Sequence, residues 1–289
     1  MQVAQRSKAR KQDPPLRLFH SHNFCALIAL IFSANVIIGL IKILRTFYLV
    51  AQWDSQYALA MRIAELKCGD ILLMENTRRN WTIKHLGIIA GQLATSVNPF
   101  RSHPGRSSLV HALIFLSYGE VAEASGESGT VRIRKLLRKK CKEYDDSLNE
   151  YAVYRCKDHM LGVEAASAAI SFAGGGIGYA KGKAFGSILH SDTYGKHGKS
   201  RGQEYADQLS EAKKGPNFTG PFAEGGAFCT EFVIACYQAA AIHLKRDETG
   251  EVLECDAKHC SVRALDTRLL RDNLFGTGGY LDLSKEPSA

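Results

Sequence analysis

The chain has 289 residues, 45% hydrophobic and 23% charged, which excludes wholesale disorder and leaves ample material for a buried core. Its formal charge of +8 sits largely in a tail: residues 1–50 hold seven cations against Asp13 alone, which leaves +2 for all the rest. A nucleic-acid reader needs a basic face on its folded body, so no nucleic-acid partner is expected.

Residues 1–23 are polar and basic and include Pro14-Pro15, the composition of a disordered leader. From Phe24 to Ile41 run eighteen residues without a charge, and the apolar stretch continues to Val50, broken by Lys42 and Arg45. A spanning helix needs about 20 mostly apolar residues, so 24–50 is expected to associate with a membrane as a single N-terminal helix. A hydrophobic helix packed on the domain, or one lying in the interface, stays open beside it. No small-x-small site closes the run, which argues against a cleaved signal peptide. The leader carries more cations than the flank after the run, which favours a domain at 51–289 outside the cytoplasm.

Residues 51–66 show helical apolar spacing, and Cys68-Gly69-Asp70 breaks it before a short strand at 71–74. The segment 81–92 reads as helix or strand, and 95–107 as a loop. Strand patterns follow at 109–116, 121–124, 130–134 and 151–156. Helices are expected at 158–172, with Asp158 as N-cap and Gly174–Gly176 as terminator, and at 228–242. Between them, 186–226 is rich in Gly, Ser and Lys and reads as a long surface excursion, with His190 and His197 solvated. A last helix over 263–275 precedes a loose end. Strands first and helices after give an α+β fold with an antiparallel sheet.

The eight cysteines form no CxxC pair, so they are expected to be reduced and mostly buried. Cys229 follows Gly225-Gly226-Ala227-Phe228 and opens the 228–242 helix. There the unpaired N–H groups and the positive end of the helix dipole stabilise a thiolate and, on attack, an oxyanion. Cys236 lies mid-helix and reads as core. A thiol nucleophile needs a base and a group to orient it. His111 and Glu123 sit in otherwise apolar strands, and a three-residue loop at Ser117-Tyr118-Gly119 would set them on one face, diagonally related. By position alone, a buried thiol describes Cys229 as well as a nucleophile does, and a core histidine and an edge-strand carboxylate describe His111 and Glu123 better. Cys255, His259 and Cys260 lack a fourth ligand and zinc-finger spacing, so no metal site is expected. The glycines at 174–178 are no phosphate loop, because the lysine spacing and preceding strand are missing.

GDILLM (69–74), VHALIFLSYGEVAEASGESGTVRI (110–133), YAVYRC (151–156), IGYAKGKAF (177–185) and FCTEFVIACYQ (228–238), taken in order, resemble a circularly permuted NlpC/P60 protein. This papain-like group contains YiiX/YaeF-type amidases and lecithin–retinol acyltransferase relatives. The resemblance covers roughly residues 66–275. It implies a papain-like α+β fold with Cys229 as nucleophile, His111 as base and Glu123 as the orienting residue. It further implies a thiol hydrolase of amide, peptide or isopeptide bonds that uses no cofactor. Lipid acyl transfer or acyl-ester hydrolysis is the alternative chemistry, and a non-catalytic binding module the alternative class. Two departures stand out. His111 is followed by Ala112-Leu113 where the group has a glycine, and His85, in HLGII, offers a rival for that pattern.

Overall fold

The computed structural model describes residues 60–76, 88–92, 106, 108–136, 149–189, 195–212, 222, 225–245 and 252–283. The leader 1–23, the hydrophobic run 24–50 and the rival His85 lie outside the described residues. Among the described residues, no helix is long and apolar enough to cross a membrane.

The strands are β1 (Ala60–Met61), β2 (Ile71–Glu75), β3 (Leu109–Phe115), β4 (Glu120–Ser125), β5 (Thr130–Lys135), β6 (Glu150–Cys156) and β7 (Phe275–Asp282). The helices are α1 (His159–Gly174), α2 (Lys181–Leu189), α3 (Gly195–Ala212), α4 (Cys229–His243) and α5 (Val262–Arg271). Six strands form an antiparallel sheet in the order β7-β6-β2-β3-β4-β5, and β1 adds a short parallel edge on β7. The fold class is α+β.

Period-two alternation divides the sheet between two cores. Ile71, Leu73, Ala112, Ile114, Ala122, Ala124 and Tyr154 pack with α1, α3 and α4. Leu72, Met74, Leu113, Phe115, Val121 and Val153 belong to the second core, with Met61, Leu66 and Ile89. In α4, Phe232, Val233, Ile234 and Tyr237 are all fully buried. Each contributes about 1.5–3 kcal/mol by leaving water, so the helix that begins at Cys229 is firmly anchored. Asp158 caps α1 as expected, accepting from the N–H groups of Met160 and Leu161.

Three expectations need correction. Residues 60–66 form no α-helix. Ala60–Met61 pairs with Tyr280–Leu281 and a 3-10 turn follows, because Met61 and Leu66 are drawn into the second core. The excursion 186–226 is not loop throughout: α2 and α3 occupy much of it. In α3, Tyr205, Ala206 and Leu209 form a buried stripe against the first core, which a Gly- and Lys-rich composition disguises. Helix α4, by contrast, is covered all round from Cys229 to Ala241, with α1 and α3 packed beside it, which no expectation had addressed. Finally, the helix before the carboxyl terminus ends at Arg271, and Phe275–Asp282 is a strand paired along the length of β6. Glycine permits that strand to fit: a Cβ on Gly278 would stand 3.0 Å from Val153 Cγ1, beside the bulge between Val153 and Tyr154.

Candidate active site

The β3–β4 hairpin sets the geometry. Leu116 N–H donates to Glu120 O and Glu120 N–H to Ser117 O, closing a loop over Ser117-Tyr118-Gly119 with Tyr118 and Gly119 at φ +49° and +75°. This is the expected three-residue loop. Its register pairs Ile114 with Ala122 and Phe115 with Val121 and goes no further. Beyond those pairs β3 continues along β2 and β4 along β5, and the two strands part.

The side chains close the opening. His111 Nε2 lies 2.9 Å from Glu123 Oε2. The Cys229 thiol, at the first residue of α4, is within hydrogen-bonding reach of the same imidazole. With Nε2 engaged by Glu123, Nδ1 is the nitrogen left for the sulfur. The structure therefore brings together all three residues that the sequence singled out.

Burial alone would hold His111 neutral, but hydrogen bonds and charge from Cys229 and Glu123 outweigh it and push the imidazole up to about 10. Burial opposes ionisation of Glu123 as well. There the His111 bond and Arg134 win, and the carboxyl is held far below the usual carboxylate range. The imidazole is thus cationic and the carboxylate anionic at neutral pH.

The nucleophile loop is fixed by a second set of contacts. Gly225 and Gly226 take φ +89° and +75°, a left-handed pair that turns the chain into α4. Ala227 N–H donates to Gly178 O, and Ala180 N–H donates to Ala227 O. On its other side the 177–180 segment bonds the start of β5, through Val131 N–H to Ile177 O and Tyr179 N–H to Gly129 O. One extended segment thus ties the cysteine loop to the strand beside Glu123. The N–H groups of Cys229 and Thr230, in the first turn of α4, have no intrahelical acceptor by helix geometry.

Sequence reasoning missed several residues here. Arg132 and Arg134 both donate to Glu123 Oε1, each through Nε at 2.9 Å. The alternation of TVRIR set against VAEAS carried that signal. Lys183 Nζ donates to Gly226 O at 2.8 Å and lies 3.5 Å from Glu231 Oε1, while Tyr205 donates to the same oxygen at 2.9 Å. Burial raises the Glu231 carboxyl, offset in part by Lys183, the Tyr205 hydroxyl and the Phe228 backbone. Tyr179 is raised by burial and then by the charge of Cys229, so its phenol stays protonated within electrostatic reach of the sulfur.

Other candidates resolve as structure. Cys236 is fully buried in the first core. Cys255 and Cys260 are buried there too, while His259 Nδ1 pairs with Asp256 Oδ2 at 3.1 Å. Among the described residues no group of His, Cys, Asp or Glu side chains could hold a metal ion. His197 is exposed on α3, and His190 lies outside the described residues. No family model, no curated protein and no solved structure matches the chain.

Proposed function

We propose that the domain is a papain-like thiol hydrolase related to the circularly permuted NlpC/P60 group, acting on amide or peptide bonds. One observation carries the reading: the thiol at the amino end of α4 lies within reach of His111, whose far nitrogen is held 2.9 Å from the buried Glu123 carboxylate. These three groups are what covalent thiol catalysis requires, and they come from positions as distant as 111 and 229.

In this mechanism His111 already holds the thiol proton, and the Cys229 thiolate attacks the substrate carbonyl. The carbon–sulfur bond forms as the carbonyl π pair moves to oxygen, where the N–H groups of the first turn of α4 stabilise it. Collapse expels the amine, protonated by the His111 imidazolium, and leaves a thioester. Water, deprotonated by His111, then attacks the thioester and releases the acid and the free thiol. Glu123 keeps the ring oriented throughout and offsets its charge.

The test is mass-spectrometric identification of the adduct trapped on Cys229 after incubation with peptide or amide substrates and, separately, phospholipid. A peptide-derived acyl group on Cys229, absent in His111→Ala, is the expected result. A fatty acyl group from phospholipid would overturn the amidase chemistry in favour of acyl transfer. No adduct from either source, with equal reactivity across the cysteines, would overturn catalysis itself and leave a binding module. The hydrophobic stretch 24–50 is proposed to hold this domain at a membrane. Retention in the pellet on alkaline carbonate extraction supports that, and release overturns it.

A further inference from the structure

Glu123 is the most enclosed charge at the site, with none of its side chain exposed. A carboxylate so far from water is costly unless both oxygens are matched by donors. Each oxygen takes two of these donors. Oε1 takes the Nε groups of Arg132 and Arg134, each at 2.9 Å. Oε2 takes His111 Nε2 at 2.9 Å and Arg134 Nη2 at 3.3 Å. Arg134 is therefore bidentate, and its fork fixes the plane of the carboxylate that His111 meets. Arg132 is the cross-strand partner of Glu123 in the β4–β5 register, and Arg134 lies two residues on, on the same face.

Burial and support of a carboxylate need one cation, and His111 already supplies one. Two guanidiniums beyond it draw charge from the carboxylate. A buried carboxylate facing the imidazole alone would hold the ring proton tightly, and a tightly held proton is slow to reach the leaving amine. Burial of the ring opposes the imidazolium, but among the described residues no other charged group around His111 moderates the carboxylate. Cys229 on α4 is the other group that favours the imidazolium. Met74, its partner on β2, is uncharged, and Tyr179 in the 177–180 segment stays protonated. Lys183 and Glu231 pair with each other behind the cysteine loop.

We propose that Arg132 and Arg134 are positioning residues for the hydrolase, acting through Glu123: they orient its carboxylate toward His111 and weaken it as an acceptor, so that the imidazolium can release its proton. This assignment rests on the hydrolase reading of Cys229, His111 and Glu123. It adds that the proton affinity of the base is set from β5, a strand that supplies none of the three.

The experiment is an NMR titration of His111 in the full chain labelled at histidine, assigned with His111→Gln, alongside the pH dependence of Cys229 alkylation by iodoacetamide. In Arg134→Met the His111 midpoint should move up by about one pH unit. Arg132→Met should move it the same way by less, since Arg132 is 27% exposed against 11% for Arg134 and is the substitution the fold tolerates better. Arg134→Lys, which keeps the charge, should hold the midpoint near that of the unmodified chain. An unchanged or lowered midpoint in folded Arg134→Met or Arg132→Met would overturn the proposal, because arginines that merely support the hairpin leave His111 alone or release it when removed. Failure of Cys229 to alkylate faster than the other cysteines would instead sink the hydrolase reading, and the His111 titration would still judge the arginines.

Discussion

His111 and Glu123 are joined by a 2.9 Å bond although their strands have already stopped pairing at Ile114 and Ala122. The side chains thus bridge an opening in the sheet rather than decorate a ladder, and α4 packs against both strands there. Replacing Glu123 with Gln should let the His111 midpoint fall, because a neutral amide no longer favours the imidazolium while burial still disfavours it. It also strands Arg132 and Arg134 beside an uncharged group. The cost should be about 3 kcal/mol, at the low end for a broken buried pair because Arg132 is partly exposed. Urea denaturation measures that cost, and His111→Gln, which leaves the arginine–carboxylate contacts in place, should lose less.

Cys229 itself supports the charge on His111, both by hydrogen bond and by charge. Cys229→Ala should therefore lower the imidazole midpoint from about 10, read by the same histidine titration. The stability consequence has a definite sign. A histidine raised in the folded state contributes stability that is fully present below its unfolded value of 6.5 and is lost as pH rises through about 10. Thermal melts of Cys229→Ala across that window should show the loss complete at lower pH than in the unmodified chain.

Strands β2 to β6 were legible because β2 and β3 are short continuous apolar runs and β5 alternates, and because Gly119 marks the hairpin, which in turn placed His111 and Glu123 on one face. What stayed hidden depends on partners that a linear reading does not supply. The stripe of Tyr205, Ala206 and Leu209 makes sense only once α4 is there to meet it, and glycines 276, 278 and 279 suppress any strand signal in β7 until β6 is beside it. Residues 130–134 read as a strand from alternation, but the role of its arginines emerges only from the register that sets Arg132 opposite Glu123. Local periodicity is written in the chain; cross-strand chemistry requires the pairing.

Lys183 bonds the carbonyl of Gly226 and stands near Glu231, so it braces the cysteine loop from α2. Lys183→Met should cost about 1–3 kcal/mol by leaving buried acceptors unmatched, and should slow Cys229 alkylation as the loop loosens. Burial already raises Glu231, with Lys183 opposing the rise, so the variant should raise it further. A carboxyl raised on folding destabilises when ionised. The deficit should be largest at neutral pH and shrink as pH falls through the Glu231 value. Urea melts at a series of pH values test this, and a deficit independent of pH would count against it.

Gly226 and Gly178 face each other where the cysteine loop meets the 177–180 segment, and they should respond oppositely to the same substitution. A Cβ on Gly226 would lie 2.1 Å from Gly178 O, and the residue sits at φ +75°. Ala there must displace backbone that accepts the Ala227 N–H bond, in a conformation L side chains rarely adopt. A Cβ on Gly178 meets nothing within 4 Å. Gly226→Ala should therefore lose several kcal/mol, on the order of 3 or more from strain and the broken bridge together, whereas Gly178→Ala should stay within about 0.5 kcal/mol. Alkylation of Cys229 should follow the same split, slowed in the first variant and unchanged in the second. Equal effects from the two would mean that the loop is free to shift, and that the place of Cys229 beside His111 does not depend on this close approach of two backbones.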